Sequence, residues 1–122
     1  MKTYKANCMT GYYQYSRYVT VSRRLDLMPY AQAGIIERAD GVQLVSYETI
    51  VAEIVDGWLH CYGTFSASTR RHIGAWLREV APSLNYHDAK RCFADSVEMN
   101  VNTGEVRPAA AGMIRTIGRR AA

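Results

Sequence analysis

The fold is decided by one stretch of this 122-residue sequence, residues 46–82, which reads SYETIVAEIVDGWLHCYGTFSASTRRHIGAWLREVAP. Apolar residues alternate across 49–55 with the period of a β-strand, and we expect that strand to bury one face. The dipeptide Asp56-Gly57 favours a tight turn, because both of its central positions take positive φ. A partner strand follows over 58–63. The sequence therefore predicts a central β-hairpin.

Beyond the hairpin the hydrophobic period lengthens to that of an α-helix. One apolar stripe recurs at positions i, i+3, i+4 and i+7, formed by Ile73, Trp76, Leu77 and Val80. Ser66 or Ser68 can cap the first turn, and Pro82 stops the helix soon after its last apolar residue. The pattern predicts an amphipathic helix over 69–80.

Weaker patterns flank this stretch. A second short helix is predicted over 86–93, with Asn85 as its N-cap. Alternation over 97–101, followed by turn residues at 102–104, indicates another hairpin. Upstream, residues 42–47 indicate a strand, and the tyrosine-rich first 40 residues indicate one or two more.

Together these elements predict an α+β fold, with a small antiparallel sheet around the central hairpin, packed by the amphipathic helix and the second short helix. A chain of this length forms one core. We expect a single domain over residues 1–108 and a basic tail over 109–122. The predicted core residues are Ile50, Ile54, Leu59, Ile73, Trp76 and Leu77.

The composition, 48% hydrophobic and 21% charged, is typical of a globular protein. No apolar run approaches the roughly 18 residues that a membrane span needs, so we expect no membrane partner. The three cysteines lack CxxC spacing, which indicates free thiols in a reducing compartment. We therefore expect the protein in the cytoplasm.

The turn that opens the predicted helix is the best candidate site for binding an anion or a partner. Its hydroxyls and arginines lie where unpaired helix N–H groups carry partial positive charge. The formal net charge of +4 also favours an anionic partner. The candidate residues are Ser66, Ser68, Thr69, Arg70, Arg71 and Arg78. The alternative is that the serines only cap the helix and the arginines are solvated.

Nine tyrosines offer further contact area, because a tyrosine joins a large apolar ring to a polar tip. Interleaved with arginines, they could stack on bases or anchor a protein partner. The candidate aromatic contacts are Tyr12, Tyr13, Tyr15 and Tyr62. The alternative, which applies to about half of the tyrosines, is that they line the core of a small sheet.

The sequence carries no recognisable catalytic or metal-binding signature. The three histidines are scattered over different predicted elements, so we expect no metal site and no cofactor. No phosphate loop, nucleophile elbow or zinc-protease helix is present. We expect no enzymatic activity, and the alternative is a small enzyme that uses Cys61 or His72.

Three segments carry a resemblance to known sequences: SYETIVA at 46–52, Asp56-Gly57, and residues 62–73. The most recognisable positions of the last segment are Ser66, Ser68, Thr69, Arg71, His72 and Ile73. The pattern resembles an uncharacterised family of short accessory proteins from phages, plasmids and other mobile elements of Gram-positive bacteria. The resemblance implies a protein that binds and redirects host machinery, and anti-CRISPR inhibitors share its size and its lack of catalytic motifs.

We therefore expect a non-catalytic binding protein of a mobile element. Its expected partner is a host protein or nucleoprotein enzyme, or the nucleic acid of that enzyme, and the expected result is inhibition of a defence system. The first alternative is a small regulator that binds nucleic acid directly. The second is the small cysteine- or histidine-dependent enzyme. The sequence predicts no oligomeric state.

Overall fold

Nine strands and two helices make up the part of the chain that this computed structural model describes, residues 2–10, 13–47, 49–63 and 66–109. In chain order they are β1 (Lys2–Thr10), β2 (Tyr13–Val21), β3 (Arg23–Arg24), β4 (Ala33–Arg38), β5 (Gly41–Ser46), β6 (Thr49–Val55), β7 (Trp58–Cys61), α1 (Ala67–Val80), α2 (Tyr86–Ala94), β8 (Val97–Asn100) and β9 (Val106–Pro108).

Seven strands lie side by side in the order β3-β4-β5-β6-β7-β8-β9, and each pairs antiparallel with its neighbours. The hairpin of β1 and β2 joins this sheet through a parallel contact, in which Cys8 of β1 pairs with Ile50 of β6. Only Ser22 separates β2 from β3, which pairs with β4. The pairing order β2-β1-β6-β5-β4-β3 therefore begins and ends on two strands that Ser22 joins in the chain.

The α+β class is confirmed, but the sheet is larger than the small sheet that the sequence predicts. Residues 2–38 contribute four strands where one or two were expected. The difference arises from pairings between distant segments, such as Arg23 with Ile35 and Asn7 with Thr49. Tyr12 and residues 110–122, which hold nearly all of the predicted tail, lie outside the described residues.

The central hairpin forms as predicted. Asp56 has φ 52° and Gly57 has φ 84°, so both turn residues occupy the left-handed region. Val55 pairs with Trp58 directly across this two-residue turn. Positive φ at both central positions is the geometry whose twist matches that of the two strands.

Both helices form at the predicted places and pack with one face of the sheet around a common core. Ser66 caps α1, its hydroxyl accepting the Thr69 N–H at 3.3 Å. At the start of α2, Asn85 and Asp88 form a reciprocal capping box. All six predicted core residues are buried. Ile73, Trp76 and Leu77 on the apolar side of α1 are fully buried, and Val80, the last residue of that stripe, is half-buried.

The prediction that β6 buries one face only is wrong. Every β6 residue from Ile50 to Val55 is buried, including Glu53, which is fully inaccessible. Alternation in a sequence shows which face is apolar, but not whether the other face is covered. The second face of β6 is covered in this fold, and a charged side chain lies beneath that cover.

Replacing either of two glycines with alanine should change the free energy of unfolding, and the two changes should have opposite signs. A Cβ on Gly41 would overlap the carbonyl oxygen of Ile54 on the paired strand, whereas one on Gly74, in α1, would meet no atom within 4 Å. We expect Gly41→Ala to lower the free energy of unfolding by about 3 kcal/mol. We expect Gly74→Ala to raise it by about 1 kcal/mol, because alanine favours helix. Urea denaturation measures both, and equal effects of the two substitutions would contradict the packing described.

Candidate binding site

The outward side of α1 presents the three arginines that the sequence singles out. Arg70, Arg71 and Arg78 are exposed, because the buried stripe occupies the opposite side of the helix. Arg71 and Arg78 are seven residues apart, so they share one side of the helix, and Arg70 projects about 100° around the helix from Arg71. The first turn of α1 carries no acidic residue. We call Arg70, Arg71 and Arg78 the arginine face.

Ion pairing divides the described arginines into two groups, and the arginine face belongs with Arg24, whose guanidinium donates only to the Pro29 carbonyl among the described residues, at 3.2 Å. Four arginines lie within 4 Å of a carboxylate: Arg23, Arg38, Arg91 and Arg107. Within the described ranges, none of the three arginines of the arginine face has such a partner. The side chain of Arg71 makes only a 3.4 Å contact with the hydroxyl of Ser68. The three charges therefore remain available for an external anion.

The predicted hydroxyl residues divide into two groups. Ser66 is exposed and Ser68 is half-buried, both beside the arginine face. Thr69 points inward instead and is buried, which corrects its assignment as a residue that contacts a partner. The physical reason is its hydrogen bond to Ser46, which lies at the end of β5.

The predicted aromatic contacts are not brought to the arginine face by any described contact. Tyr13 and Tyr15 lie on β2, where only the backbone is described, and Tyr12 lies outside the described residues. Tyr62 is half-buried, and its ring packs edge-on against His60 at 4.7 Å. His60 alternates with the core residue Cys61 along β7, so the Tyr62 ring lies on the sheet face away from the helices.

Ser46, Thr69 and His72 form a buried group that we call the hydroxyl–histidine cluster. The Ser46 hydroxyl lies 2.9 Å from the Thr69 hydroxyl and 2.8 Å from Nδ1 of His72. The cluster fastens the end of β5 to the first half of α1. Ser46 belongs to the SYETIVA segment, and Thr69 and His72 belong to the segment 62–73. The presence of both segments in the resemblance is the sequence signal that could have pointed to the cluster.

Burial lowers the pKa of His72, and the neighbouring positive charge of Arg71 lowers that pKa further. The neutral ring is therefore the favoured form at neutral pH. A neutral ring can accept a hydrogen bond at Nδ1 from the Ser46 hydroxyl. The Ser46 oxygen then accepts a hydrogen bond from the Thr69 hydroxyl. One orientation of the three groups thus satisfies every hydroxyl proton in the cluster.

A serine 2.8 Å from a histidine also has the spacing of a nucleophile and its base. Here Ser46 is only 1% exposed, and its oxygen already contacts Thr69. A substrate carbonyl could not approach that oxygen without displacing α1. The geometry supports a fastening between two elements rather than an acyl-transfer site.

Cys61 and Cys92, the two cysteines whose side chains the structure describes, are free and buried. Burial raises the pKa of the Cys61 thiol to about 11 and that of the Cys92 thiol to about 12. The Cys61 thiol also donates to the carbonyl of Gly63 at 3.2 Å. Both thiols stay protonated at neutral pH, whereas a cysteine nucleophile needs the thiolate.

A row of polar side chains crosses the sheet face opposite the helices, and sequence reasoning missed it. Each member lies beside the next on the neighbouring strand, in the order Gln43, Glu53, His60, Glu98 and Arg107. Gln43 donates to Glu53 at 3.0 Å, His60 Nδ1 lies 3.5 Å from Glu98, and Arg107 contacts Glu98 at 3.0 Å. Arg107 also stacks on the Trp58 ring at 3.9 Å. These contacts let charged groups be buried on this face.

Comparison with known proteins adds one finding. The model of one protein family, described as a family of unknown function, matches residues 19–92, which is more than half of the chain. The match includes the arginine face and the hydroxyl–histidine cluster. No curated protein and no solved structure matches the chain. Within the described residues, neither helix is long and apolar enough to cross a membrane.

The hydroxyl–histidine cluster predicts a pH dependence of stability. The unfolded chain takes up a proton at His72 near its ordinary pKa of 6.5, whereas the folded protein does so only at lower pH. The stabilisation from neutral His72 is therefore complete above pH 6.5. It is lost as the pH falls towards the lower pKa that His72 has in the folded protein. We expect His72→Asn to remove this part of the acid-dependent loss, measured by urea denaturation across pH.

The matched control is His87→Asn, because His87 is exposed on α2. This variant should keep the pH dependence of the wild-type protein. Identical pH profiles for the two variants would show that His72 does not contribute.

Proposed function

The chain belongs to DUF8033, the family of unknown function matched above, and we propose that it is a non-catalytic binding protein whose arginine face engages an anionic partner. One observation carries this proposal. Arg70, Arg71 and Arg78 are the arginines of α1, and they project from it without an acidic partner among the described residues. Guanidinium groups suit carboxylates and phosphates, which they can bind through paired hydrogen bonds.

Contacts that fix both ends of α1 favour binding by the arginine face. The hydroxyl–histidine cluster fastens α1 at Thr69 and His72. At the other end of the helix, Glu79 accepts the Leu27 N–H at 2.8 Å and lies 3.5 Å from Arg23. A helix held at both ends loses little backbone entropy on binding, so more of the interaction energy contributes to affinity.

The biological setting of the proposal comes from the resemblance at 46–73. Accessory proteins of mobile elements act on machinery of the host cell, so we propose a host nucleoprotein complex as the partner. Inhibition of a defence system, as by anti-CRISPR proteins, is the proposed outcome. Such a complex offers both carboxylates and phosphates, and either group suits the arginine face.

The test replaces the three arginines with alanine in a tagged protein produced in a Gram-positive host. Each lost contact with a charged group is worth about 1.5–3 kcal/mol, so we expect recovery of the partner to fall at least tenfold. Folding should be unchanged, because all three side chains are exposed. Circular dichroism checks the fold, and quantitative mass spectrometry measures the recovered partner.

The chain offers a matched control in α2, where Lys90 and Arg91 are two consecutive exposed cations. Their double alanine variant should retain the partner, whereas Arg70→Ala with Arg71→Ala should lose most of it. Equal recovery with the two double variants would reject the arginine face as the contact.

Nuclease and salt treatment then separate the two chemical classes of partner. A protein partner that survives nuclease would support a protein-directed inhibitor. Recovery of nucleic acid that is lost at high salt would support phosphate binding instead, because counterion release makes that binding strongly salt-dependent.

A further inference from the structure

Exposed apolar side chains concentrate beside one flank of α1. Five large hydrophobic residues are exposed in the described part of the chain, and three of them belong to this region. Leu27 is 53% exposed and Tyr30 is 96% exposed, both in the loop that joins β3 to β4. Tyr47 is 49% exposed and lies just after β5. Single exposed apolar residues are ordinary, but a group of them indicates a contact surface.

The loop between β3 and β4 is fixed against α1 close to Arg78. The backbone N–H of Leu27 donates to Oε1 of Glu79 at 2.8 Å. Glu79 directly follows Arg78 in the helix, and its side chain is buried. The loop that carries the exposed Leu27 side chain is therefore fixed to α1 at the residue that follows Arg78.

Tyr47 is fixed in the same way near Arg71. Its ring lies 5.6 Å from the ring of His72, the residue that follows Arg71. Its backbone N–H donates to the carbonyl of Gln32, at the far end of the same loop, at 2.6 Å. Tyr47 has φ 55°, a conformation that a bulky residue adopts only when its surroundings impose it. The fold therefore holds this tyrosine in place before any partner arrives.

The two sites repeat along the helix. Tyr47 contacts His72, which follows Arg71, and the Leu27 backbone contacts Glu79, which follows Arg78, seven residues or about 10 Å further along the helix. Each site thus combines an exposed apolar side chain with a nearby arginine that pairs with no carboxylate among the described residues. Central aromatic and arginine residues are typical of protein–protein contacts.

Two features of the loop favour a protein over a nucleic acid. Leu27, unlike Tyr30 and Tyr47, offers no ring on which a base can stack, although stacking carries much of single-strand binding. Asp26 precedes Leu27, and its carboxylate is 83% exposed and lies 3.8 Å from the Arg23 guanidinium, so this loop carries both signs of charge, whereas single-strand binding uses a positively charged groove. The aliphatic side chain and the mixed charges instead suit a protein segment.

We infer that the arginine face, Leu27, Tyr30 and Tyr47 form one interaction surface, and that it takes an acidic protein segment carrying apolar side chains. Carboxylates of that segment pair with Arg71 and Arg78. Its apolar side chains cover Leu27, Tyr30 and Tyr47. This inference rests on the proposed function and specifies the chemistry of its partner.

Nuclear magnetic resonance titration of the isotope-labelled protein tests the inference with defined probes. The first probe is a synthetic amphipathic peptide of glutamate and leucine. The second replaces its leucines with serine, the third replaces its glutamates with glutamine, and the fourth is a thymidine oligonucleotide. We expect the first probe to bind tightest and to shift the amide resonances of Leu27, Tyr30 and Tyr47 together with those of α1.

Two surface variants separate this inference from the proposed function. Leu27→Ser with Tyr30→Ser should weaken binding of the glutamate–leucine peptide roughly tenfold and leave the serine-substituted peptide unaffected. The matched control is Phe93→Ser, since Phe93 is exposed on α2. Tyr47 is kept intact, because its replacement would also change the constrained backbone.

The possible results distinguish a failure of this inference from a failure of the proposed function. Tightest binding by the oligonucleotide, no binding of the glutamate–leucine peptide, or unchanged peptide affinity in the Leu27 and Tyr30 variant would overturn the inference. If the alanine variant of the arginine face still lost its cellular partner, the proposed function would stand. If that variant kept its partner and bound every probe normally, both would fail.

Discussion

The contact of Ser46 with Thr69 and His72 is the constraint on which the rest of the functional surface depends. Ser46 ends β5, so its hydroxyl ties the sheet to the first half of α1. This tie sets the rotation of the helix about its axis and turns the arginine face outward. It also places His72 beside Tyr47, whose backbone is held by Gln32. Buried hydroxyls and a neutral imidazole thus specify an orientation that apolar packing alone would leave less defined.

Local periodicity predicts the hairpin and the helices at the centre of the fold, but it does not predict how many strands the sheet contains. The hairpin turn at 56–57 and both helices follow from φ preferences, caps and hydrophobic spacing, which act over a few residues. The parallel contact between Cys8 and Ile50 joins segments about 40 residues apart, and no local pattern encodes it. The sheet was therefore underestimated.

The candidate site shows the same division. Helical spacing placed Arg71 and Arg78 on one exposed side, and the structure agrees. That neither arginine pairs with a described carboxylate was not predictable, because pairing elsewhere in the molecule depends on contacts such as Arg23 with Glu79, 56 residues away. Thr69 was misassigned for a related reason, since its hydroxyl partner lies on a distant strand. Glu53 was expected at the surface because alternation does not reveal a second cover.

The polar row on the opposite face of the sheet has an evolutionary consequence. Glu53, His60 and Glu98 occupy neighbouring positions on three adjacent strands, and each is buried or half-buried beside a polar neighbour. Replacing one of them alone would leave an uncompensated group in a dry environment. In related proteins, a substitution at one of these positions should therefore be accompanied by substitutions at its neighbours on the adjacent strands. Such correlated divergence would record the strand order of the sheet in sequences alone.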